Sequence, residues 1–145
     1  MHTPRTRMHT AEHILSAIMR LEYGADRNVE LHLGDKKTKC DYCPNAPLQD
    51  GDIEQIQRRV NDEILANHPV GDEIIARSEA TEYDLWKVPA DAETIRIVNI
   101  GTLDAQPCSG EHVSNTQEIG EFRVTTYENR DNGRTRIRFK VGAPK

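Results

Sequence analysis

Two pairs of metal-ligating residue types, His9/His13 and Cys108/His112, lie near opposite ends of this chain, each with three residues between its members. On a helix this spacing puts both side chains on one face, one turn apart, so His9 and His13 can reach a single ion. Cys108 and His112 repeat the spacing beside Gly110. Together they offer imidazoles and a thiolate, a donor set suited to tetrahedral zinc. If all four serve one ion, the fold must carry a late loop back onto its first helix, and that demand restricts topology more than any local propensity. Spacing alone leaves alternatives open. His-x-x-x-His is common on helices without metal, and Cys40-x-x-Cys43 joined to Cys108 and His112 would make a Cys₃His structural site. Against that site, Cys40 falls in an alternating stretch where it can pack inward as a small apolar group. The stretch from Cys43 to Cys108 also exceeds zinc-finger spacing. A thioredoxin-like role is weaker, because Pro44 and Pro47 follow the pair where such a motif would open a helix.

Periodicity supplies the elements. Ile14, Leu15, Ile18, Met19 and Leu21 form an apolar stripe that predicts a helix over 8–22, ended by Gly24. Residues 28–33 and 38–42 alternate as strands do, with Gly34 and Asp35 between them. Ile53, Ile56, Val60 and Ile64 predict a second helix over 52–66, capped by Asp50 or Asp52 and closed by Pro69. Strands follow at 74–77 and 95–100, with a short helix or turn near Tyr83 to Trp86. Residues 101–115 read as a loop. Residues 121–127 and 134–141 form a hairpin turned at Asn132-Gly133. No βαβ rhythm appears, so the expected class is α+β, mostly antiparallel, with two main helices.

The 145 residues suffice for one hydrophobic core, and no linker or repeat divides them, so a single domain over 1–145 is expected. No secretory leader or membrane-spanning run is present, and an odd count of three cysteines fits a reducing, cytoplasmic setting. A net charge of −5 argues mildly against broad nucleic-acid binding but leaves room for a local basic face. Lys36, Lys37 and Lys39 form one cluster; Arg123, Arg130, Arg134, Arg136, Arg138 and Lys140 form another. Either can equally be a solvated sheet face.

Several segments together carry a resemblance. Met8-His9-Thr10-Ala11-Glu12-His13-Ile14-Leu15 is similar to the His-Thr-Ala-x-His-Leu-Leu helix of the alanyl-tRNA editing proteins, whose second additional domain is shared with alanyl- and threonyl-tRNA synthetases. Thr38-Lys39-Cys40-Asp41-Tyr42 resembles that family's strand ending in Phe-Asp-Phe. Pro107 to Val113, running into Asn115 to Gly120, resembles its Cys-Gly-Gly-Thr-His-Val and Thr-Gly-x-Ile-Gly segment. The resemblance covers nearly the whole chain in matching order. Two departures stand beside the ligands: Glu111 replaces the family's usual Thr, and Ser109 its usual Gly. With the His-x-x-x-His helix at its start, the chain resembles the short free-standing form.

The resemblance implies a trans-editing hydrolase that deacylates Ser- or Gly-tRNA(Ala), with zinc held by His9, His13, Cys108 and His112. Glu111 is the candidate base or amino-group contact. Thr38, Asp41 and Ser109 are candidate substrate contacts, with Thr38 reading a hydroxyl and Asp41 orienting a ligand histidine. Lys36, Lys37, Lys39 and Arg136 are candidate contacts to the tRNA acceptor end. With aromatics at 5%, backbone charge contacts are expected to dominate there. The rival readings are a zinc-stabilised RNA- or protein-binding module without hydrolase activity, and editing of another mischarged tRNA such as tRNA(Thr).

Overall fold

A computed structural model describes residues 2–143. The first helix, α1, spans Pro4–Tyr23 and begins earlier than the apolar stripe suggests. Thr3 caps it, its side chain accepting from the Thr6 amide at 3.2 Å, and Pro4 supplies a first helical residue that needs no donor. Gly24 ends it with φ 73°, a left-handed cap that glycine adopts without strain. Met8, Ala11, Ile14, Leu15, Ile18 and Met19 are buried to 1% exposure or less, whereas Leu21, counted with the stripe, is 64% exposed. Position 21 shares the face of 14 and 18, but it lies in the last turn of α1, where the core no longer covers it.

Strands β1 (Asn28–His32) and β2 (Thr38–Tyr42) form the expected hairpin. Helix α2 spans Asp50–Leu65, and Asp52 accepts from the Gln49 amide at 2.8 Å, so the cap lies at Gln49. Strands β3 (Val70–Ala76), β4 (Thr94–Ile100) and β5 (Asp104–Pro107) follow, then β6 (Phe122–Asn129) and β7 (Thr135–Val141). They make two antiparallel sheets: a four-stranded one ordered β1-β2-β7-β6 and a three-stranded one ordered β3-β4-β5. The class is α+β. Strand β5 lies inside the stretch expected to be loop. The segment around Tyr83 to Trp86 is a series of turns, with a single 3₁₀ turn earlier at Arg77–Glu79.

Both helices pack on the four-stranded sheet. Cys40, Tyr42, Phe122, Ile137 and Phe139 from the sheet meet Ile14, Leu15 and Ile18 of α1 and Ile56, Val60 and Ile64 of α2 in the main core. A smaller cluster of Ala80, Ile95 and Ile97 underlies the three-stranded sheet. Phe139, on the central strand β7, is fully buried with its ring 4.9 Å from that of Phe122. Phe139→Ala is expected to lower unfolding free energy by about 3–5 kcal/mol in a denaturant titration; a loss under about 1 kcal/mol would show that this ring is not central to the core.

Candidate metal centre

Helix α1 presents His9, Glu12, His13, Ser16 and Arg20 along one wall of a cleft of about 450 Å³. These positions recur every three or four residues, so a single helical face supplies them. The opposite wall carries Cys108, which follows β5, and the loop beyond it. Three contacts hold that loop in place. The Arg96 guanidinium donates to the carbonyls of Cys108 and Gly110 at 3.0 and 2.8 Å. The Val113 amide donates to Thr10 Oγ1 at 3.1 Å. A side chain at Gly110 would run into the His9 ring, so the absence of a Cβ is what lets loop and helix approach.

The late loop does return to the first helix. Ligand atoms of His9, His13, Cys108 and His112 all lie within 4.8 Å of one another. Cys108 Sγ is 3.4 Å from Nε2 of His9 and 3.4 Å from Nε2 of His112. Bond lengths of about 2.1 Å to nitrogen and 2.3 Å to sulfur around a tetrahedral ion give donor separations of about 3.5 Å. The remaining ring nitrogens have partners of their own. His9 Nδ1 bonds the Glu111 carbonyl at 3.2 Å, and His112 Nδ1 meets Thr10 Oγ1 at 2.9 Å. Such partners orient a ligand imidazole and leave Nε2 for the ion.

His13 is the buried member, with its side chain 8% exposed. Its Nδ1 lies 3.6 Å from Asp104 Oδ2 and makes no hydrogen bond among the described residues. At that separation the Asp104 effect is charge attraction more than hydrogen bonding. Burial pushes the His13 imidazole down, but Asp104, Cys108 and Glu12 outweigh it and raise it to about 10. Burial pushes the Cys108 thiol up, but the three histidines outweigh it and bring it down to about 3. Burial likewise opposes the Asp104 carboxylate, yet His13 and Arg20 hold it below the usual carboxylate range. The cluster therefore calls for positive charge, which the His13 proton supplies in part and a divalent cation supplies more fully. The four residues fit a metal ion by both donor chemistry and charge.

The other candidates fall in different places. Ser109 is exposed and lines the cleft. Glu111 is exposed on the far side of its loop, its carboxylate 3.5 Å from the Thr6 hydroxyl and outside the cleft lining. The carboxylates that do line the cleft beside the cluster are those of Glu12 and Asp104. Thr38 is fully buried, its hydroxyl against Met8 Sδ at 3.0 Å, so it does not face the cleft. Asp41 is fully buried and accepts from Arg136 Nε at 2.8 Å; Asp104, not Asp41, lies beside a candidate ligand histidine. Arg136 is committed to Asp41 and approached by Glu30 at 3.5 Å, which leaves little of its charge free. Lys36 and Lys37 are exposed in the β1–β2 turn, and Lys39 is half-buried on β2. Cys40 is buried in the core and Cys43 is exposed, so neither joins the cluster and the Cys₃His arrangement does not form. No helix among the described residues is long and apolar enough to cross a membrane.

Sequence reasoning missed Glu12, Thr10 and Asp104. Thr10 and Glu12 stand between His9 and His13, and the same helical periodicity that paired the histidines puts Glu12 on their face. Asp104 carried no signal, because its strand lies in a stretch without clear alternation.

Comparison with known proteins places these features in context. Residues 95–138 match the family model described as the threonyl and alanyl tRNA synthetase second additional domain. An alanine–tRNA ligase of Paracidovorax citrulli (strain AAC00-1) is 34% identical over 140 residues, 94% of this chain and 15% of the ligase. One of Burkholderia multivorans (strain ATCC 17616 / 249) is 32% identical over 121 residues, covering 81% and 14%. One of Methanococcus vannielii (strain ATCC 35089 / DSM 1224 / JCM 13029 / OCM 148 / SB) is 29% identical over 143 residues, covering 94% and 16%. The chain thus spans about 15% of the length of the first of these relatives.

The proton inventory of the cluster gives a direct check. Cys108 already holds its thiolate, whereas His13 keeps its proton until about pH 10 and must shed it to ligate. Zinc binding at pH 8, followed by calorimetry in buffers of different ionisation enthalpy, is expected to release about one proton from this residue, with apparent affinity rising as pH climbs toward 10. Asp104→Asn is expected to weaken zinc binding about 10- to 100-fold. No proton release, or an unchanged affinity in that variant, would contradict the His13–Asp104 pairing.

Proposed function

Because the chain belongs to the threonyl and alanyl tRNA synthetase second-additional-domain family, we propose that it is an editing hydrolase. It cleaves the ester between a wrongly attached amino acid and the 3′ end of tRNA, with zinc held by His9, His13, Cys108 and His112. Its substrates are Ser- and Gly-tRNA(Ala). A synthetase pocket cannot strongly reject a near-isostere of its own amino acid, so a separate hydrolytic site has a clear use. The observation that supports the reading most is that His9, His13 and Cys108 line an open cleft and are not sealed inside the core. A metal that only stabilises the fold needs no such approach from solvent, and for the ion to act on substrate its four protein ligands must admit a fifth donor or release one.

When bound by these four residues, zinc would supply a Lewis acid for the ester carbonyl or for water once its sphere admits a fifth donor or releases one ligand. The chain's own residues do the positioning. The Glu111 carbonyl and the Thr10 hydroxyl hold the His9 and His112 rings with Nε2 inward. Glu12 has Oε2 fixed by Ser16 at 2.5 Å and Asn28 at 2.9 Å, while Oε1 lies 4.0 Å from His13 Nε2. That carboxylate can take the ammonium group of the aminoacyl moiety or a proton from attacking water. Ser109 offers a hydroxyl on the facing wall. Lys36, Lys37 and Lys39 contact phosphates of the acceptor stem, where recognition is by backbone and shape.

Deacylation of Ser-, Gly- and Ala-tRNA(Ala), with Ser-tRNA(Thr) as comparison, tests the proposal. The expected result is hydrolysis of the Ser or Gly ester with Ala-tRNA(Ala) spared. Cys108→Ala is expected to lower the rate by more than the ~10- to 100-fold typical of losing a ligand's hydrogen-bond partner. Activity on none of the substrates, with metal bound, would replace the hydrolase by a binding module. Preference for Ser-tRNA(Thr) would reassign the substrate.

A further inference from the structure

The cleft wall facing α1 contains the chain's single tryptophan, and it is not used as a core residue. Trp86 is 46% exposed, in a chain whose aromatic content is only 5%. Its neighbours behave otherwise. Tyr83, Leu85 and Val88 pack against the Ala80, Ile95 and Ile97 cluster, so the turns over 83–88 are anchored from below without the indole. Polar contacts anchor them from the side. Arg27 Nε pairs with Asp84 at 2.8 Å, and Lys87 Nζ donates to Asn28 Oδ1 at 2.7 Å. Asn28 in turn donates to Glu12 on α1, which ties this segment to the helix that carries His9 and His13. A large apolar ring is thus held at a fixed place on the cleft without being buried by it.

Two cations stand at that ring. Arg27 Cζ is 4.8 Å and Lys87 Nζ is 5.3 Å from its centroid. An exposed aromatic with a cation over its ring is a combination by which proteins hold single-stranded nucleic acid: the ring's open area stacks on a base while basic groups beside it meet the backbone. We propose that Trp86 is a stacking platform for a nucleobase at the 3′ end of a single-stranded RNA, with Lys87, whose partner Asn28 is neutral, meeting its phosphate, so that the terminal ribose reaches the His/Cys cluster across the same cleft. This inference rests on the aminoacyl-tRNA hydrolase reading and supplies the nucleotide subsite that reading lacks. It also moves the close recognition of the acceptor tip from Lys36 and Lys37, which do not line the cleft, to residues that do.

The single tryptophan makes the test direct. A tetranucleotide RNA, ACCA, without amino acid, is titrated into the full chain while indole fluorescence is followed, and a 5′-labelled copy reports binding independently by anisotropy. Saturable quenching with a midpoint matching the anisotropy curve is expected. Trp86→Phe keeps a ring and is expected to bind within a few-fold of the parent, while Trp86→Ala weakens binding at least about fivefold. Binding by anisotropy with unmoved fluorescence, or unchanged affinity in Trp86→Ala, overturns the platform; so does the absence of binding in the parent chain. Deacylation by the parent separates the two readings. Hydrolysis with no role for Trp86 defeats the platform alone, whereas quenching without hydrolysis keeps the platform and defeats the hydrolase.

Discussion

The contact on which the site depends is the seam between the first turns of α1 and the loop 108–113. Thr10, fully buried, stands at its centre. Its hydroxyl bonds His112 Nδ1 at 2.9 Å and accepts from the Val113 amide at 3.1 Å, while lying 3.4 Å from the Thr6 carbonyl behind it. One small side chain therefore orients a candidate ligand and fixes the backbone that carries it. Gly110 gives the His9 ring room, and Arg96 ties the loop to β4. Breaking the seam would part the two donor pairs without touching a donor, because neither pair alone offers enough ligands for a closed coordination sphere.

The seam also sets the electrostatics. Three imidazole rings lie with centroids 4.2 to 5.1 Å apart, too close for all to carry protons without mutual repulsion. The Cys108 thiolate and the buried Asp104 and Glu12 carboxylates favour charge on His13, whereas burial lowers His112. Protons are thus unequally distributed among chemically identical side chains by their surroundings. The same negative surroundings suit a divalent cation. The cleft beyond is mixed in sign: Asp84 pairs with Arg27, whereas Lys87 is held by the neutral Asn28 and keeps its charge for an anionic group.

Much of this was legible in the sequence, for identifiable reasons. Helices with a clear apolar period, α1 and α2, were found because burial and periodicity coincide there. The β1–β2 and β6–β7 hairpins were found from alternation and turn residues. Strand β5 was missed because Asp104 to Pro107 contains one buried residue, and that one is a charged side chain. The convergence of His9, His13, Cys108 and His112 was foreseeable from spacing joined to donor chemistry. The placement of Glu111, Thr38 and Asp41 was not, because facing is decided by tertiary contacts. Thr38 turns to Met8, Asp41 to Arg136, and Glu111 to Thr6. A basic residue in sequence is likewise not a free charge: Arg134 and Arg136 both spend theirs on Asp41 and Glu30.

Under the proposed function these four side chains hold one ion in a nitrogen-rich sphere at the cleft. Zinc K-edge X-ray absorption on the purified, zinc-loaded protein tests it most directly. One sulfur at about 2.3 Å and imidazole nitrogens at about 2.0–2.1 Å are expected, with the outer-shell scattering that imidazole rings give. A sphere with two or more sulfurs would bring in Cys40 or Cys43, and a sphere of light atoms without sulfur would leave out Cys108; either result would contradict it.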